Sequence, residues 1–430
     1  MIFRSTRGIA PTVLVDAALR AGLAPDGGLY LPSEIPVAHA PFLPGQALAA
    51  TATQWLAPFF EVSALRDALP AMCATSFAFD APLRALHGHG DYLHELFHGP
   101  TAAFKDYAAR FLAESLARLR PIGAPTTTIL VATSGDTGAA VAAAFHRRPG
   151  FAVAILYPHG RVSPRQAQGL ECWGDNVHAF RVDGDFDDCQ RLVKHALGDE
   201  DLRTAVSLGS ANSISLGRLL PQLAFHAHAA LDHQAARGSR LNLVVPTGNL
   251  GNAAAAWLAR RMGAPIGDIV LATNANDTLP RFFAGGAYAP QSGVATLANA
   301  MDVSAPSNFE RLRAWHSDDA ALRAAFRAES VDDATIRATI AAAPTRHGIV
   351  PCPHTATGLR VLERLRAGGD DRDWAVLATA HPAKFDTIVE PLVDHQVALP
   401  PALEAMLARP ASGQPLANDY AALRAHLLRG

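Results

Sequence analysis

The stretch "TTTILVATSGDTGAAVAAAFHRR", Thr126 to Arg148, decides how this chain folds. Ile129, Leu130 and Val131 form a short apolar run, which suits a buried strand. A loop, Thr133-Ser134-Gly135-Asp136-Thr137-Gly138, follows, and alanine-rich helical sequence comes after it. The same form recurs. "FAVAILYP" precedes "SPRQAQGLECWG", and "VHAFRVDG" precedes "FDDCQRLVKHALG". "LNLVVPTG" precedes "NAAAAWLARRMG", "DIVLATNAND" precedes "TLPRFF", and "WAVLATAHPAKF" closes the series. Alternation of this kind predicts α/β architecture, with parallel sheets flanked by helices. In such sheets ligands sit beyond the carboxyl ends of the strands, so the loops are where chemistry is sought. The first part of the chain differs. "LVDAALRAG" and "SALRDALPAMCAT" read as helices between Pro/Gly-rich turns, so an N-terminal, mainly helical region is expected.

At 430 residues the chain is too long for one ordinary core. A formal net charge of -2 argues against a nucleic-acid partner, because phosphate-backbone binding needs a basic excess. No apolar run is long enough for a bilayer span, and the first 22 residues lack a signal-type apolar segment. The four cysteines are scattered without a C-x-x-C pair, which fits a reducing cytoplasm and neither a disulfide framework nor a zinc site.

Two loops have the form of anion sites. Thr133–Gly138 and Thr247-Gly248-Asn249-Leu250-Gly251-Asn252 both join a strand to a helix start, where backbone N–H groups converge. Neither matches a dinucleotide or a Walker loop. Each alone could be a turn with a polar helix cap; two in one chain favour phosphate or carboxylate binding.

Lys105 lies in "ELFHGPTAAFKDYAARFLAESLARLR", Glu95 to Arg120, where arginine supplies every other positive charge. With Thr101 as a candidate N-cap, Phe104, Ala108, Phe111, Leu112 and Leu116 follow helical spacing, and Lys105 falls near the first turn. A helix N-terminus and apolar neighbours lower an amine's pKa, while Asp106 would oppose this if it lay close. On position alone a solvated Lys105 paired with Asp106 is the simpler reading. The anion loops favour a nucleophile, because a phosphate-bearing aldehyde cofactor needs one lysine and one phosphate cup. Pyridoxal phosphate (PLP) is such a cofactor.

At this point "HGPTAAFKD", "ATSGDTGAA", "SANSIS", "PTGNLGN", "NDTLPRF", "NAMDVSAPSNFER" and "TAHPAKF", with "PDGGLYLP" near the start, resemble the threonine synthase family in its long bacterial and fungal form. The resemblance implies PLP fold type II, the tryptophan synthase β-subunit-like fold. It implies that Lys105 binds the cofactor aldehyde and that Gly248, Asn249, Leu250, Gly251 and Asn252 cradle the cofactor phosphate. Thr379 would bond the pyridine nitrogen, and Asp136 would sit near the cofactor's 3′-oxygen, where the wider fold often has asparagine. The implied substrate is O-phospho-L-homoserine. Ser134, Gly135 and Thr137 would hold its carboxylate or phosphate, and Asn212, Ser213 and Arg218 its phosphate. The reaction implied is γ-elimination of phosphate and β-addition of water to give L-threonine, with Lys105 as proton shuttle. Three units are expected: 1–85, mainly helical; 86–110 with 235–430, the large PLP-binding α/β unit; and 111–234, a smaller α/β unit with the SGDTG loop. The chain is expected to act as a monomer or a homodimer.

Other groups read more plainly. "HGHGDYLHELFHG" contains His87, His89, His94 and His98 without a metal-ligand set, and reads as turn and strand; His98 and His381 are candidates to line the pocket. His226 and His228 cannot share a helix face. "VDGDFDDCQ" reads as helix capping. Two alternatives remain: another lyase on the same scaffold, such as a phospholyase or dehydratase, or a nucleotide-binding α/β protein without PLP.

Overall fold

The computed structural model describes residues 1–38 and 41–429. Its largest sheet has six strands in the order Arg327–Ser330, Ile266–Thr273, Leu241–Pro246, Trp374–Ala378, Asp91–Glu95 and Leu83–Ala85. All neighbours are parallel except the last pair. A second sheet has five parallel strands, Gln414–Leu416, Val177–Val182, Phe151–Pro158, Thr127–Ala132 and Ser207–Ser210. The expected strands are therefore present, and so is the parallel pairing. The short strands Ser207–Ser210 and Arg327–Ser330 carry no apolar run and stay half-buried, which is why no periodicity announced them.

Strand order locates the cleft. In the larger sheet the chain runs outward from Leu241–Pro246 in one direction and reaches Trp374–Ala378 on its other side. In the smaller sheet Thr127–Ala132 lies between Phe151–Pro158 and Ser207–Ser210. Loops that leave neighbouring strands in opposite directions open a crevice at such a point. Both glycine loops and "SANSIS" begin there.

Near the start of the chain a three-stranded antiparallel sheet, Val13–Leu14, Ile2–Ser5 and Tyr30–Pro32, accompanies helices Val15–Ala21, Leu48–Phe60 and Leu69–Ser76. These helices share a core with the helix that begins at Lys105. Phe60 meets Phe111 edge to face at 5.9 Å, and Phe77 lies 5.7 Å from Tyr107. Each buried ring contributes roughly 1.5–3 kcal/mol by removal from water. The far end of the chain returns to the smaller sheet: Gln414–Leu416 pairs with Val177–Val182, and Leu423 and Leu427 of helix Tyr420–Leu427 pack beneath it.

Ser163 caps helix Pro164–Glu171, and Asp185 caps helix Phe186–Gly198 in a capping box with Asp188, as the acidic run suggested. Asp91–Glu95 of the histidine-rich stretch is an inner strand beside Trp374–Ala378. His98 and His381 do not reach the cleft around Lys105. They line a separate cavity with Arg84 and Glu95, where His98 Nε2 lies 2.9 Å from the Glu95 carboxylate.

Candidate active site

Lys105 is the first residue of helix Lys105–Leu119, and the capping position is Phe104, whose side chain offers no hydrogen bond. Thr101 is therefore not the N-cap. Its hydroxyl and its N–H instead donate to the Asp106 carboxylate, at 2.7 and 2.9 Å. That contact commits Asp106 to Thr101, so the solvated Lys105–Asp106 pair, the simpler reading on position alone, is not formed. The segment is stitched to the end of strand Trp374–Ala378: Phe104 N–H donates to Thr379 O at 2.9 Å, and His381 N–H donates to Ala102 O at 3.0 Å. Lys105 and Thr379 are thus held on the same wall of the cleft. Burial lowers the Lys105 amine to about 8; Asp136 opposes the shift, while Lys384 and Arg218 add to it.

Across the cleft, helix Gly251–Arg261 starts after Leu250, which offers no side-chain cap and lies in the left-handed region at φ +61°. Among the described residues only the Ala253 N–H of the first turn is taken by a side chain, Asn252 Oδ1 at 2.9 Å. The side chain of Asn252 is fully engaged. It accepts from Thr247 Oγ1 at 2.8 Å and donates to Pro246 O at 2.9 Å, which clamps the loop shut. Asn249 donates to Ser213 Oγ, and its carbonyl accepts from Asn308 at 2.9 Å. What remains open towards the cleft is backbone N–H at a helix start, a fit for phosphate. Gly248 lies against the main chain of Met301, where an added Cβ would stand 2.7 Å from Met301 Cα.

The third wall comes from the smaller sheet. Helix Asp136–Phe145 begins at Gly135, φ +129°, which offers no side chain for a cap; Thr133 Oγ1 instead accepts from Gly138 N–H at 2.9 Å and leaves the first two N–H groups of the helix. Ser134, Asp136 and Thr137 line the cleft. Gly135 lies on the loop but not on the lining; its N–H is held by Thr133 Oγ1 at 3.0 Å, and a Cβ there would strike the Gln166 side chain. Asn212, Ser213 and Arg218 line the cleft beside it. Arg218 is only 2% exposed, donates to Ala211 O at 2.5 Å, and leaves Nε without a partner among the described residues. Burial draws its guanidinium down to about 10, with Asp106 acting weakly the other way. A buried cation of this kind, with a donor left without a partner among the described residues, fits an anion.

Three groups in or against this cleft escaped the sequence reading. His354 lines it, accepts from Ala300 N–H at 3.1 Å, and is lowered to about 4 by burial. Arg311 is fully buried and donates to Tyr30 O, Asn308 Oδ1 and Ile214 O, tying the N-terminal region to the loop that carries Asn212 and Ser213 and, through Asn308, to the Asn249 carbonyl. Lys384, 1% exposed, sets its ammonium 2.7 Å from Asp136 Oδ1 and 2.8 Å from Thr101 O. A compositional signal pointed to it. Only three of the chain's 37 basic residues are lysines, namely Lys105, Lys194 and Lys384. Lys105 and Lys194 line the cleft and Lys384 backs it.

Residues 80–381 match the family model described as pyridoxal-phosphate dependent enzyme. Residues 2–77 match threonine synthase N terminus, and residues 355–427 match threonine synthase, C-terminal. The chain is 39% identical over 425 residues to a threonine synthase of Haemophilus influenzae, covering 97% of each. Among solved structures it is similar to threonine synthase from Escherichia coli, at TM-score 0.91 and 35% identity over the whole of both chains. It is also similar to PLP-bound threonine synthase from Brucella melitensis, at TM-score 0.89 and 35% identity, covering 100% of this chain and 99% of that one.

Proposed function

The chain belongs to the threonine synthase family of PLP-dependent enzymes, and on that premise we propose that this cleft converts O-phospho-L-homoserine and water into L-threonine and phosphate. The observation that carries the reading is the convergence, in one cleft, of the Lys105 amine, two helix starts whose N-cap residues make no side-chain bond and the buried Arg218. One phosphate on the cofactor and one on the substrate need two separate anion sites.

The residues present fit PLP. Backbone N–H groups from Gly248 to Asn252 would hold its phosphate, Thr379 its ring nitrogen, and Lys105 its aldehyde carbon, with Asp136 near the 3′-oxygen. When bound, the cofactor supplies an electron sink for removal of protons from Cα and Cβ. Lys105 Nζ takes the proton from Cα, and an amine lowered to about 8 is poised to return protons along the same face. Arg218, Asn212 and Ser213 hold the leaving phosphate, the guanidinium with its fork. Ser134 and Thr137 hold the substrate carboxylate, and Gly135 shapes that loop. The three units of this design are 1–85, 86–110 with 235–430, and 111–234, with Gln414–Leu427 carried on the smaller sheet. We place the reaction in the cytoplasm, on a monomer or homodimer without a nucleic-acid partner. Among the described residues no helix is long and apolar enough to cross a membrane.

The test is a visible spectrum of the purified chain with PLP, before and after addition of O-phospho-L-homoserine, with assay of products. Phosphate and threonine in equal amounts are expected. Release of 2-oxobutyrate and ammonia instead would assign the cleft to an eliminating lyase. A second measurement addresses the phosphate cradle. Gly248→Ala forces the loop off Met301, an overpacking cost of about 1–3 kcal/mol. PLP affinity, titrated by absorbance, is expected to fall by about tenfold, with the unfolding temperature little changed. Unaltered PLP affinity would remove this loop from the cofactor site.

A further inference from the structure

We propose that Lys384 is a positioning residue of this active site: its ammonium occupies Oδ1 of Asp136 and so keeps that carboxylate from closing on the Lys105 amine. The geometry is specific. Lys384 Nζ lies 2.7 Å from Asp136 Oδ1, whereas Lys105 Nζ lies 3.9 Å from Oδ2, beyond hydrogen-bond length. Gln166 Nε2 also donates to Oδ1, at 3.2 Å. One carboxylate therefore stands between two lysine ammoniums and is bound by the one that does no chemistry.

Lys384 is fixed at both ends. Its ammonium donates to Thr101 O, and its carbonyl accepts from Ser163 Oγ at 2.7 Å. Arg165 holds the adjoining Ala383 carbonyl at 2.6 Å. The 3-10 turn Pro382–Phe385 is thereby clasped by the start of helix Pro164–Glu171, which belongs to the smaller sheet. The groups acting on Lys105 are Asp136, Lys384, Arg218, Cys352 and His354. Burial pushes the Cys352 thiol up and the His354 imidazole down, so both stay uncharged. Asp106, His381 and His354 act on Lys384 besides Asp136; Asp106 is committed to Thr101, and burial holds His381 neutral. Asp136 is thus the single anion shared between the two amines. Burial alone would raise it, but Lys384 and then Lys105 hold it well below the usual carboxylate range. Without Lys384 its remaining cationic partner is Lys105, and a full ion pair would keep that amine protonated and unreactive.

The inference rests on Lys105 being the reacting amine, and its test reads that amine directly without substrate. Full-length protein freed of cofactor is trace-acylated with acetic anhydride across pH 6 to 10, and each lysine is quantified by peptide mass. With only three lysines in the chain, exposed Lys194 serves as the internal reference. Wild-type Lys105 should label with a midpoint near 8. Lys384→Met is expected to raise the midpoint by about one unit or more, roughly tenfold less free amine at neutral pH. The double variant Lys384→Met/Asp136→Asn should bring it back to the wild-type value or below. An unchanged midpoint in folded Lys384→Met overturns the proposal, as does a rise that persists when Asp136 is also replaced. Should the methionine variant not fold, Lys384→Gln keeps a donor at this place. It should give a smaller rise that Asp136→Asn likewise cancels, and no rise, or an uncancelled one, again overturns the proposal. Formation of the wrong product from phosphohomoserine would refute the assigned reaction and leave these midpoints untouched.

Discussion

Lys105→Ala is expected to abolish turnover of O-phospho-L-homoserine, lowering kcat by about a thousandfold or more, since a positioned proton-transfer group alone contributes 10²–10⁴. The variant loses both the covalent anchor for the cofactor and the base at Cα. Its fold should survive. Lys105 is not a core residue; it stands at a helix start beside Phe104, and the helix is held by Tyr107, Phe111 and Leu112. Borohydride reduction of the wild-type holoprotein should leave one pyridoxyl group on the peptide containing Lys105, and the variant should carry none. A variant that still turned over at the normal rate would refute the assigned chemistry.

Arg218→Met is expected to lower kcat/KM for phosphohomoserine by about a hundredfold or more, because truncating one partner of a buried charge pair costs roughly 2–5 kcal/mol. Stability should change little in the free protein. The wild-type side chain is a buried cation whose burial outweighs the opposing charge of Asp106, and methionine fills similar volume without that desolvation cost. The lost bond to Ala211 O works against this gain. Activity and stability should therefore separate, read by steady-state kinetics and by thermal unfolding of the same preparation. Equal loss of both would make Arg218 a support for the Ala211 turn and not a phosphate ligand.

Much of this design was legible from local patterns. Val131 and Val245 lie in short apolar, β-branched runs that suit buried strands, and each run leads through glycines into a helix, so parallel pairing followed. Lys105 was conspicuous because its neighbours set it at a helix start among apolar residues. The capping of that helix was not legible. Thr101 is a good cap by residue type, yet the hydroxyl is used by Asp106, a choice made by burial of that carboxylate. His98 and His381 have the right chemistry for a pocket and follow strands Asp91–Glu95 and Trp374–Ala378, yet they line another cavity.

Lys384, His354 and Arg311 mark the limit more sharply. Lys384 and Arg311 each sit hundreds of residues from a partner and His354 sits 54 from Ala300, and no periodicity or spacing reports such a pairing. Lys384 meets Asp136 because the turn after Trp374–Ala378 of the larger sheet packs against the loop after Thr127–Ala132 of the smaller one, and Arg311 meets Tyr30 because helix Phe309–Trp315 packs against the N-terminal sheet. By itself the sequence determined the strand–loop–helix units, the two glycine loops and the place of Lys105 at a helix start, because those properties depend on contiguous residues. Only the tertiary structure decided which charges face one another across the cleft. The energy of a buried ion depends on its distance to every other charge, and that distance is set by the packing of the sheets.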